Sequence, residues 1–209
     1  MLRLMLALLA GAATVACSNP EQDRLEKTTR PTYDSATGKL TELTYDHNKN
    51  GTIDTWTQMD GERPVLTRMD RDEDGTIDRW EYYDAAGQLV RVGFSRANTG
   101  KPDAWAYSSA NSEQIDRIDS SSAGDENKID RWERYAAGNQ LIEADEDTNG
   151  DRRPDKWETY RGGVLTTAAF DEDGDGQPDR RLTYRDGQVT VIESDPDASG
   201  KYTKRFEVK

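Results

Sequence analysis

Short apolar and aromatic segments, separated by polar turns, run through the chain from about residue 31. The segments LVRVGF (89–94), VLTTAAF (164–170) and VTVIE (189–193) are rich in β-branched and aromatic residues and have the length of strands. The shorter segments WEYY (80–83) and WERY (132–135) lead into glycine-containing turns in the same way. The pattern therefore predicts β-strands rather than helices over most of the chain.

Glycine turns punctuate these strands. Asp, Asn and Gly between β-forming segments favour hairpins, because glycine readily adopts positive φ. Six segments have this character: YDSATGKL (33–40), MDGERPV (59–65), YDAAGQL (83–89), YAAGNQL (135–141), YRGGVL (160–165) and YRDGQV (184–189). The predicted unit is strand, glycine turn, strand and aspartate-rich loop. Seven such units fit between about 31 and 209, with mostly antiparallel neighbouring strands.

The five tryptophans set the repeat length. Each follows an aspartate by two residues, at positions 56, 80, 105, 132 and 157, so successive spacings are 24, 25, 27 and 25. Self-similarity at this period is typical of stacked supersecondary units. The sequence predicts an all-β fold of tandem β-hairpin repeats of about 25 residues in an open twisted array, with a closed barrel or propeller as the alternative. A large aromatic repeated beside a turn favours a core position, whereas exposed tryptophans would indicate stacking on sugars or peptides.

The composition is poor in core-forming residues and rich in acid. Hydrophobic residues and charged residues each make up 33% of the chain, and the net charge is −13. Self-repulsion of this kind favours disorder unless something offsets it, and bound divalent cations would do so. The acidic balance argues against nucleic acid as a partner, because phosphate binding needs a basic face. A single histidine and a single cysteine disfavour a zinc site.

Residues 70–81 match the D-x-D-x-D-G-x5-E pattern of an EF-hand calcium loop. In such a loop alternate side chains converge on one ion, and the glycine permits the sharp turn. The seventh residue adds its backbone carbonyl, and the final glutamate binds through both oxygens. Calcium is the predicted ion, because every ligand is a hard oxygen. The predicted ligands are Asp70, Asp72, Asp74, Thr76, Asp78 and Glu81.

Three further loops carry parts of the same pattern. In the loop at 171–179, Leu182 replaces the final glutamate, and the predicted ligands are Asp171, Asp173, Asp175, Gln177 and Asp179. The loop at 46–54 offers fewer charges, from Asp46, Asn48, Asn50, Thr52 and Asp54. Two registers are open for the fourth loop. The preferred one, set by Trp157, gives Asp147, Asn149, Asp151, Asp155 and Glu158 with Arg152 in place of the glycine; the other, shifted by two residues, gives Asp145, Asp147, Asn149 and Gly150.

Three other repeat junctions, at 95–103, 120–130 and 195–203, are predicted to be loops that have lost most of their ligands. Asp103 and Asp130 persist there, which predicts that they accept backbone amide hydrogen bonds. About six residues separate Trp80 from the next glycine turn, too few for the helices that flank a true EF-hand loop.

Two resemblances follow from these motifs. The YDAAGQL turn resembles the YD repeats of bacterial Rhs-type proteins. The aspartate loops resemble the EF-hand-like loops of β-proteins such as thrombospondin type 3 repeats and integrin α-subunit blades. Together the resemblances cover most of residues 31–209, and they imply a β-hairpin array that binds Ca²⁺ at its turns.

The first residues, MLRLMLALLAGAATVACS, have the form of an export signal. Arg3 supplies the positive start, and the apolar run that follows is too short to span a bilayer. The segment resembles a bacterial lipoprotein signal in which Cys17 is lipidated, and Ser18 resembles the second residue of outer-membrane lipoproteins. The alternative is a secretory signal cleaved after Ala16. The predicted organisation is a signal at 1–17, a polar tether at 18–30 and a calcium-loop β-repeat domain at 31–209.

The functional expectation follows from these parts. With one histidine and no glycine-rich phosphate loop, the sequence predicts no enzyme. It predicts a lipid-anchored calcium-binding protein of the bacterial outer membrane or cell surface, or alternatively a periplasmic or secreted one. The expected role is structural or macromolecule-binding, with a protein or glycan partner at the cell envelope. The alternatives are a calcium sensor or buffer and a glycan-binding or glycan-processing protein.

Overall fold

The computed structural model describes residues 28–108 and 114–208, which form fifteen β-strands. In chain order they are β1 (Thr29–Tyr33), β2 (Leu40–Tyr45), β3 (Thr55–Asp60), β4 (Arg63–Met69), β5 (Arg79–Tyr83), β6 (Leu89–Phe94), β7 (Ala104–Ser108), β8 (Ile115–Ser120), β9 (Arg131–Ala136), β10 (Gln140–Glu146), β11 (Lys156–Arg161), β12 (Val164–Phe170), β13 (Arg180–Arg185), β14 (Gln188–Pro196) and β15 (Tyr202–Glu207). β6 and β12 coincide with the predicted segments LVRVGF and VLTTAAF.

Every strand pairs with its neighbours in sequence, and every pair is antiparallel. The sheet therefore runs from β1 to β15 without a crossover. Within the described residues β15 does not pair with β1, so the sheet is open. The predicted open hairpin array is confirmed over the closed barrel or propeller. Seven strand–turn–strand–loop units are present, and β15 follows as one further strand.

The connections alternate between the two sides of the sheet. Short turns join odd-numbered strands to the next even-numbered strands, and we call this side of the sheet the turn side. The six turns of this kind that lie within the described residues contain glycine. The connection from β7 to β8 is on the turn side and lies mostly outside the described residues. The connections from even to odd strands lie on the loop side. Because successive loops are two strands apart, they line up about 10 Å from one another.

Six connections on the loop side are nine or ten residues long. We number them loop 1 (46–54), loop 2 (70–78), loop 3 (95–103), loop 4 (121–130), loop 5 (147–155) and loop 6 (171–179).

The start of the sheet differs slightly from the predicted boundary. β1 begins at Thr29, two residues before the predicted start of the repeat domain at 31. The predicted signal at 1–17, with Cys17, and residues 18–27 of the predicted tether lie outside the described residues.

The turn side bends the hairpins. Each of the seven hairpins shifts register close to its turn, for example between Tyr82 and Tyr83 or between Thr159 and Tyr160. A bulge of this kind increases the local twist of a strand pair. Gly87 takes φ +76° in the turn after Tyr83, as predicted for a hairpin glycine.

All five tryptophans lie on one face of the sheet, which we call the tryptophan face. The register aligns them in a single row with residues of the intervening strands: Thr44, Trp56, Arg68, Trp80, Gly93, Trp105, Asp119, Trp132, Asp145, Trp157 and Ala169. Each indole is therefore about 10 Å from the next, with a different residue between them. A residue of the intervening strand therefore separates each tryptophan from the next in this row.

The burial of the tryptophans follows the prediction of a core position. Trp80 is 7% exposed and Trp105 is 2% exposed, and the other three are half-buried. Gly93 stands between Trp80 and Trp105, where a Cβ would lie 3.1 Å from the Cβ of Pro102. A side chain at this position would therefore force its neighbours to move, which explains the glycine in the middle of a strand.

The opposite face is covered by long polar side chains. Ala144 and Ala168 are fully buried there, although the described strands form one sheet. The register places Ala144 between Glu133 and Glu158, whose extended side chains shield it. We call this the glutamate face. The core of this protein is therefore thin, and each strand has its substantial contacts with its sequence neighbours, as in other repeat arrays.

Candidate metal centre

The six loops share one hydrogen-bonding scheme. In each, the carboxylate of the last residue, which we call the closing aspartate, accepts the backbone amide of the second residue at 2.6 to 3.2 Å. The closing aspartates are Asp54, Asp78, Asp103, Asp130, Asp155 and Asp179. The predicted role of Asp103 and Asp130 as acceptors of backbone amides is confirmed. The same bonds in the other loops show that this role belongs to the loop itself.

The loops are also joined to one another through the backbone. The carbonyl of each closing aspartate up to Asp155 accepts the amide of the first residue of the next loop, at 2.8 to 2.9 Å. One such bond runs from Asp70 to Asp54, and another runs from Asp171 to Asp155. The loop side is therefore a continuous hydrogen-bonded row, in which the backbone of each loop is bonded to that of the next.

Two positions in each of the nine-residue loops take a left-handed backbone. The sixth residue was expected to do so, and Gly75 has φ +90°. The fourth residue does so as well, since Glu73 has φ +59° and Lys49 has φ +66°. Non-glycine residues rarely adopt this conformation, and at the fourth position glycine is present only in loops 5 and 6. In loops 1 and 2 the residue type at the fourth position therefore does not indicate the left-handed backbone there.

The same scheme resolves the register of loop 5. Asp147 accepts the amide of the fourth residue, Gly150, at 2.7 Å and that of the sixth, Arg152, at 2.8 Å. Asp171 accepts the corresponding amides of loop 6, from Gly174 and Gly176, both at 2.7 Å. Loop 5 therefore follows the register set by Trp157, and Arg152 adopts φ +75° where the other nine-residue loops have glycine.

Two groups of three carboxylates come close enough to hold one metal ion. In loop 2 an oxygen from each of Asp70, Asp72 and Asp78 lies within 4.8 Å of the others. Loop 6 brings together Asp171, Asp173 and Asp179 in the same way. These are the first, third and ninth positions of the predicted ligand pattern. These six residues are thus placed where each loop could hold one metal ion.

The loop 2 group contains an unsatisfied carboxylate oxygen. Asp70 is 7% exposed, and its Oδ2 accepts the amide of Gly75 at 2.9 Å. Its Oδ1 is buried and has no hydrogen-bond partner among the described residues. An unpaired buried acceptor costs about 1–3 kcal/mol, and more when it is charged. A cation bound between Asp70, Asp72 and Asp78 would remove this cost.

The loop 6 group is more open and better satisfied by the backbone. Asp171 is half-buried, and partial burial raises the pKa of its carboxyl. The hydrogen bonds from the backbone amides of Gly176 and Gly174 outweigh burial, so the pKa is lowered below its ordinary value. Asp171 is therefore ionised at neutral pH, which is the state that a metal ion requires.

The fifth residues of these loops stand outside the two groups. Asp74 accepts the amide of Thr76 at 2.8 Å, and Asp175 accepts the amide of Gln177 at 2.8 Å. Asp74 also accepts a hydrogen bond from Asn98 of loop 3 at 2.6 Å. The bonds from Asn98 and then Thr76 lower the pKa of Asp74. Thr76 and Gln177 occupy the seventh positions, where their backbone carbonyls were predicted to bind.

Glu81 and Glu158 are placed differently from the prediction. Glu81 accepts hydrogen bonds from Arg79 at 2.8 Å and from the Tyr83 hydroxyl at 2.8 Å, on the glutamate face. Glu158 accepts hydrogen bonds from Arg131, Lys156 and Tyr160 on the same face. Neither joins a carboxylate group of its loop. The reason is that a strand follows each loop, so the twelfth residue projects from the sheet, whereas a helix would bring it back over the ion.

A repeated motif of three residues explains these glutamates. In RWEYY (79–83), RWERY (131–135) and KWETY (156–160) a basic residue, a glutamate and a tyrosine occupy alternate positions of one strand, and so share one face. Arg131 donates to Glu133 at 2.9 Å, Glu146 at 3.3 Å and Glu158 at 3.0 Å. Burial and the bond to Glu133 raise the pKa of Tyr135 to about 12. The motif was visible in the sequence, and period-two spacing was the signal that identifies it.

Loops 1 and 5 hold their predicted ligands without bringing three carboxylates together. In loop 1 Asp46 and Asp54 are buried, and Asn48, Asn50 and Thr52 are exposed. In loop 5 Asp147 and Asp155 are buried, and Asn149 and Asp151 are exposed. In both loops the third residue accepts the amide of the fifth, at 3.0 Å for Asn48 and 2.9 Å for Asn149. The geometry of loop 2 is therefore reproduced with fewer negative charges.

The junction at 195–203 is a glycine turn and not a decayed aspartate loop, so the prediction there was wrong. The amide of Asp197 donates to the carbonyl of Lys201 at 2.9 Å, and that of Gly200 donates to the carbonyl of Asp197 at 2.8 Å. Asp84 makes the same two bonds in the turn between β5 and β6. The sequences DASGK (197–201) and DAAGQ (84–88) are alike, and this turn chemistry outweighs the position of the segment in the repeat.

No protein-family model matches the chain, and no curated protein matches it. Among solved structures, the chain is similar to one described as "Crystal Structure of TarM", at 10% sequence identity and a TM-score of 0.15. The similarity covers 81% of this chain and 22% of that chain. At this TM-score it supports no conclusion about fold or function.

The described part of the chain contains no helix that is both long enough and apolar enough to cross a membrane.

Proposed function

We propose that this protein binds Ca²⁺ in its aspartate loops and that the bound ions stabilise an extended β-sheet with a structural or macromolecule-binding role at a bacterial cell envelope. The observation that supports this most directly is the loop 2 group. It combines three converging carboxylates with a buried Asp70 oxygen that lacks a partner among the described residues. A bound cation would explain both features, whereas the turn alone explains the position of Asp78 and leaves the Asp70 oxygen unpaired.

The chemistry of the ligands favours calcium in this proposal. The two groups offer carboxylate oxygens, with a backbone carbonyl available at the seventh position of each loop. Hard oxygen donors in a flexible loop suit Ca²⁺, which accepts six to eight ligands. Mg²⁺ needs a tighter octahedral arrangement and keeps several water ligands. The softer metals favour imidazole and thiolate ligands, and the residues of loops 2 and 6 offer neither.

The structure of the sheet supports a stabilising role for such ions. The described strands form one sheet with a thin core, and the chain carries a net charge of −13. Like charges within one loop repel each other in the folded state. A cation in each loop converts this repulsion into attraction. Because the loops form a hydrogen-bonded row, each ion also stabilises the neighbouring repeats.

Calorimetric titration with calcium tests this proposal. The wild-type chain should bind at least at loops 2 and 6, and the double variant Asp70→Asn with Asp72→Asn should lose the loop 2 site. The matched control is Asp84→Asn, which makes the same change in a glycine turn on the turn side and should keep full stoichiometry. Absence of calcium binding by the wild-type chain at millimolar concentration would overturn the proposal.

The affinity separates a structural role from a sensor or buffer. Extracellular structural modules bind calcium at about 10⁻⁴ to 10⁻³ M, whereas sensors bind at about 10⁻⁷ to 10⁻⁵ M and cytosolic buffers bind more tightly still. We expect the weaker range, because the carboxylates of Asp72 and Asp173 are exposed and Glu81 is engaged elsewhere. A dissociation constant below about 10⁻⁶ M would favour the sensor or buffer instead.

The location at the envelope rests on the export signal and is tested separately. Cys17 and its surroundings lie outside the described residues, and the proposed lipid anchor follows from the resemblance of TVACS to a lipoprotein signal. Cys17→Ser should release the protein from membranes or block its processing. Unchanged membrane association in cell fractionation would show that Cys17 is no anchor. The proposed partner, a protein or a glycan, is then a component of the envelope.

A further inference from the structure

Glu73 of loop 2 reaches into loop 1. Its Oε1 accepts hydrogen bonds from the side-chain amides of Asn48 and Asn50, both at 2.5 Å. Glu73 is half-buried between the two loops. One carboxylate oxygen thus holds the third and fifth residues of a neighbouring loop, which are two of the predicted ligands there.

This contact fixes which end of each asparagine faces its own loop. A side-chain amide binds a cation through its oxygen and not through its nitrogen. With both nitrogens held by Glu73, the oxygens remain directed at loop 1. There Asn48 Oδ1 accepts the amide of Asn50 at 3.0 Å, and Asn50 Oδ1 accepts the amide of Thr52 at 2.8 Å. The carboxylates of Asp72 and Asp74 accept the corresponding amides in loop 2.

Glu73 also supplies charge that loop 1 lacks. Loop 1 has two carboxylates, from Asp46 and Asp54, and it carries Lys49 at its fourth position. The carboxylate of Glu73 adds a third negative charge beside the asparagines. Calcium sites are tuned by the number of charged ligands and by the rigidity of the site. A residue of loop 2 therefore contributes to both properties in loop 1.

The same residue is linked to the unsatisfied oxygen of its own loop. In loops 1, 5 and 6 the amide of the fourth residue donates to Oδ1 of the first aspartate. Glu73 is the fourth residue of loop 2, and Asp70 Oδ1 is the atom without a partner among the described residues. Glu73 thus orients ligands in loop 1 while its amide leaves a buried oxygen free in loop 2. The amide of Asp70 joins the two loops again, through the carbonyl of Asp54 at 2.9 Å.

We propose that loops 1 and 2 bind calcium as a coupled pair, with Glu73 as the positioning residue that couples them, and that loop 6 binds on its own. The inference rests on the proposed calcium function. Loop 6 provides the contrast, because its fourth residue, Gly174, has no side chain that could reach loop 5. The glutamate of loop 6, Glu172, pairs instead with Arg180 of the strand that follows its own loop, at 2.8 Å.

The experiment isolates the pair by removing the loop 6 site with Asp171→Asn and Asp173→Asn. In this background, calcium titration should show two sites and a Hill coefficient above one. Glu73→Ala should keep two sites, reduce the Hill coefficient to one and weaken binding at loop 1 by about fivefold or more. Glu73→Gln should restore part of the loop 1 affinity, because the glutamine oxygen still accepts the asparagine amides. The matched control Glu172→Ala should leave the titration unchanged.

The outcomes separate this inference from the function on which it rests. If the chain with intact loops binds no calcium, both are overturned. If it binds calcium but Glu73→Ala and Glu172→Ala give the same non-cooperative titration, the coupling is refuted and the calcium function stands. A folding defect is excluded by equal circular dichroism and equal tryptophan emission of the variants in EGTA. If Glu73→Ala does not fold, Glu73→Gln replaces it in the experiment. The coupling is then refuted if Glu73→Gln leaves both the Hill coefficient and the calcium affinity of loop 1 unchanged.

Discussion

Loops 2 and 3 follow the same backbone path and carry different chemistry. Both have a closing aspartate that accepts the amide of the second residue, and both have left-handed backbone at the fourth and sixth positions. The first, third and fifth residues of loop 2 are aspartates. The corresponding residues of loop 3 are Ser95, Ala97 and Thr99. The same loop conformation therefore forms with and without a set of metal ligands.

The comparison separates the residues that build the loop from those that would bind the ion. The closing aspartate and the left-handed positions are present in both loops, so they specify the backbone. The aspartates at the first and third positions are present in loop 2 alone, and with the closing aspartate Asp78 they form the group that could hold a metal ion. In loop 3 the side chain of Arg96 donates to Asp103 at 3.2 Å, which gives that carboxylate a positive partner within the protein. A loop of this kind is complete without a cation.

Removal of calcium should have the largest effect of the changes considered, because it acts only on the loops that carry metal ligands. It therefore tests whether the residues that bind the ion are distinct from those that build the loop. At 100 times its dissociation constant, calcium stabilises the folded state by about 2.7 kcal/mol for each independent site. For two sites, and about 2–4 °C per kcal/mol at this size, excess EGTA should lower the melting temperature by more than about ten degrees. Tryptophan emission should shift to the red, and magnesium should restore little. Identical melting curves in EGTA and in calcium at about 100 times its dissociation constant would mean that loops 2 and 3 are equivalent.

Single substitutions at the two kinds of position should differ in their dependence on calcium. Asp103→Ala removes a 7% exposed carboxylate that accepts the amides of Arg96 and Ala97. It should cost about 1–3 kcal/mol with or without calcium. Asp70→Asn should cost about 2.7 kcal/mol in saturating calcium and much less in EGTA. Chemical denaturation of both variants in both buffers measures this, and equal calcium dependence of the two costs would contradict the division.

The fold was predictable because the same pattern of strand, turn, strand and loop recurs seven times along the chain. Segments such as LVRVGF and VLTTAAF have an unambiguous strand pattern, and the glycine turns and aspartate loops punctuate them regularly. The carboxylates of loops 2 and 6 were predictable for the same reason, since alternate spacing within a short loop is a local property. Local pattern was sufficient wherever the determining contacts lie within one repeat.

The differences between the sequence pattern and the structure have particular physical causes. The EF-hand pattern assigns Glu81 to the metal, whereas the strand that begins at Arg79 places it on the glutamate face. The contacts of Glu73 join residues 23 and 25 positions apart, and no local pattern indicates them. The turn at 197–201 was assigned by its position in the repeat, although its own sequence specifies a glycine turn.

Transfer of the ligands should convert loop 3 into a metal loop, because its backbone already has the required form. The triple variant Ser95→Asp, Ala97→Asp and Thr99→Asp reproduces the first, third and fifth positions of loop 2. It should add one calcium site in calorimetric titration, weaker than that of loop 2 because Arg96 competes for Asp103. A control with asparagine at the same three positions should add little. Failure of the aspartate variant to bind an additional ion would show that side chains beyond these positions define the site.

The smallest expected effect concerns Glu158, which the sequence assigned to the metal and the structure assigns to the glutamate face. Burial raises the pKa of its carboxyl, but the bonds from Lys156, Tyr160 and Arg131 outweigh burial and lower the pKa below the ordinary value of 4.5. A carboxyl with a lowered pKa binds its proton less readily in the folded state than in the unfolded state. Its contribution to stability is therefore present above about pH 4.5 and is lost as the pH falls through the lower, folded pKa.

Glu158→Gln should reduce the melting temperature at pH 7 by about 2–4 °C, corresponding to about 1 kcal/mol, and the difference from wild type should shrink in acid. Calcium affinity should be unchanged, and Glu62→Gln in an exposed turn serves as the control for the loss of one charge. A loss of calcium binding in Glu158→Gln that is absent from Glu62→Gln would return Glu158 to the metal site.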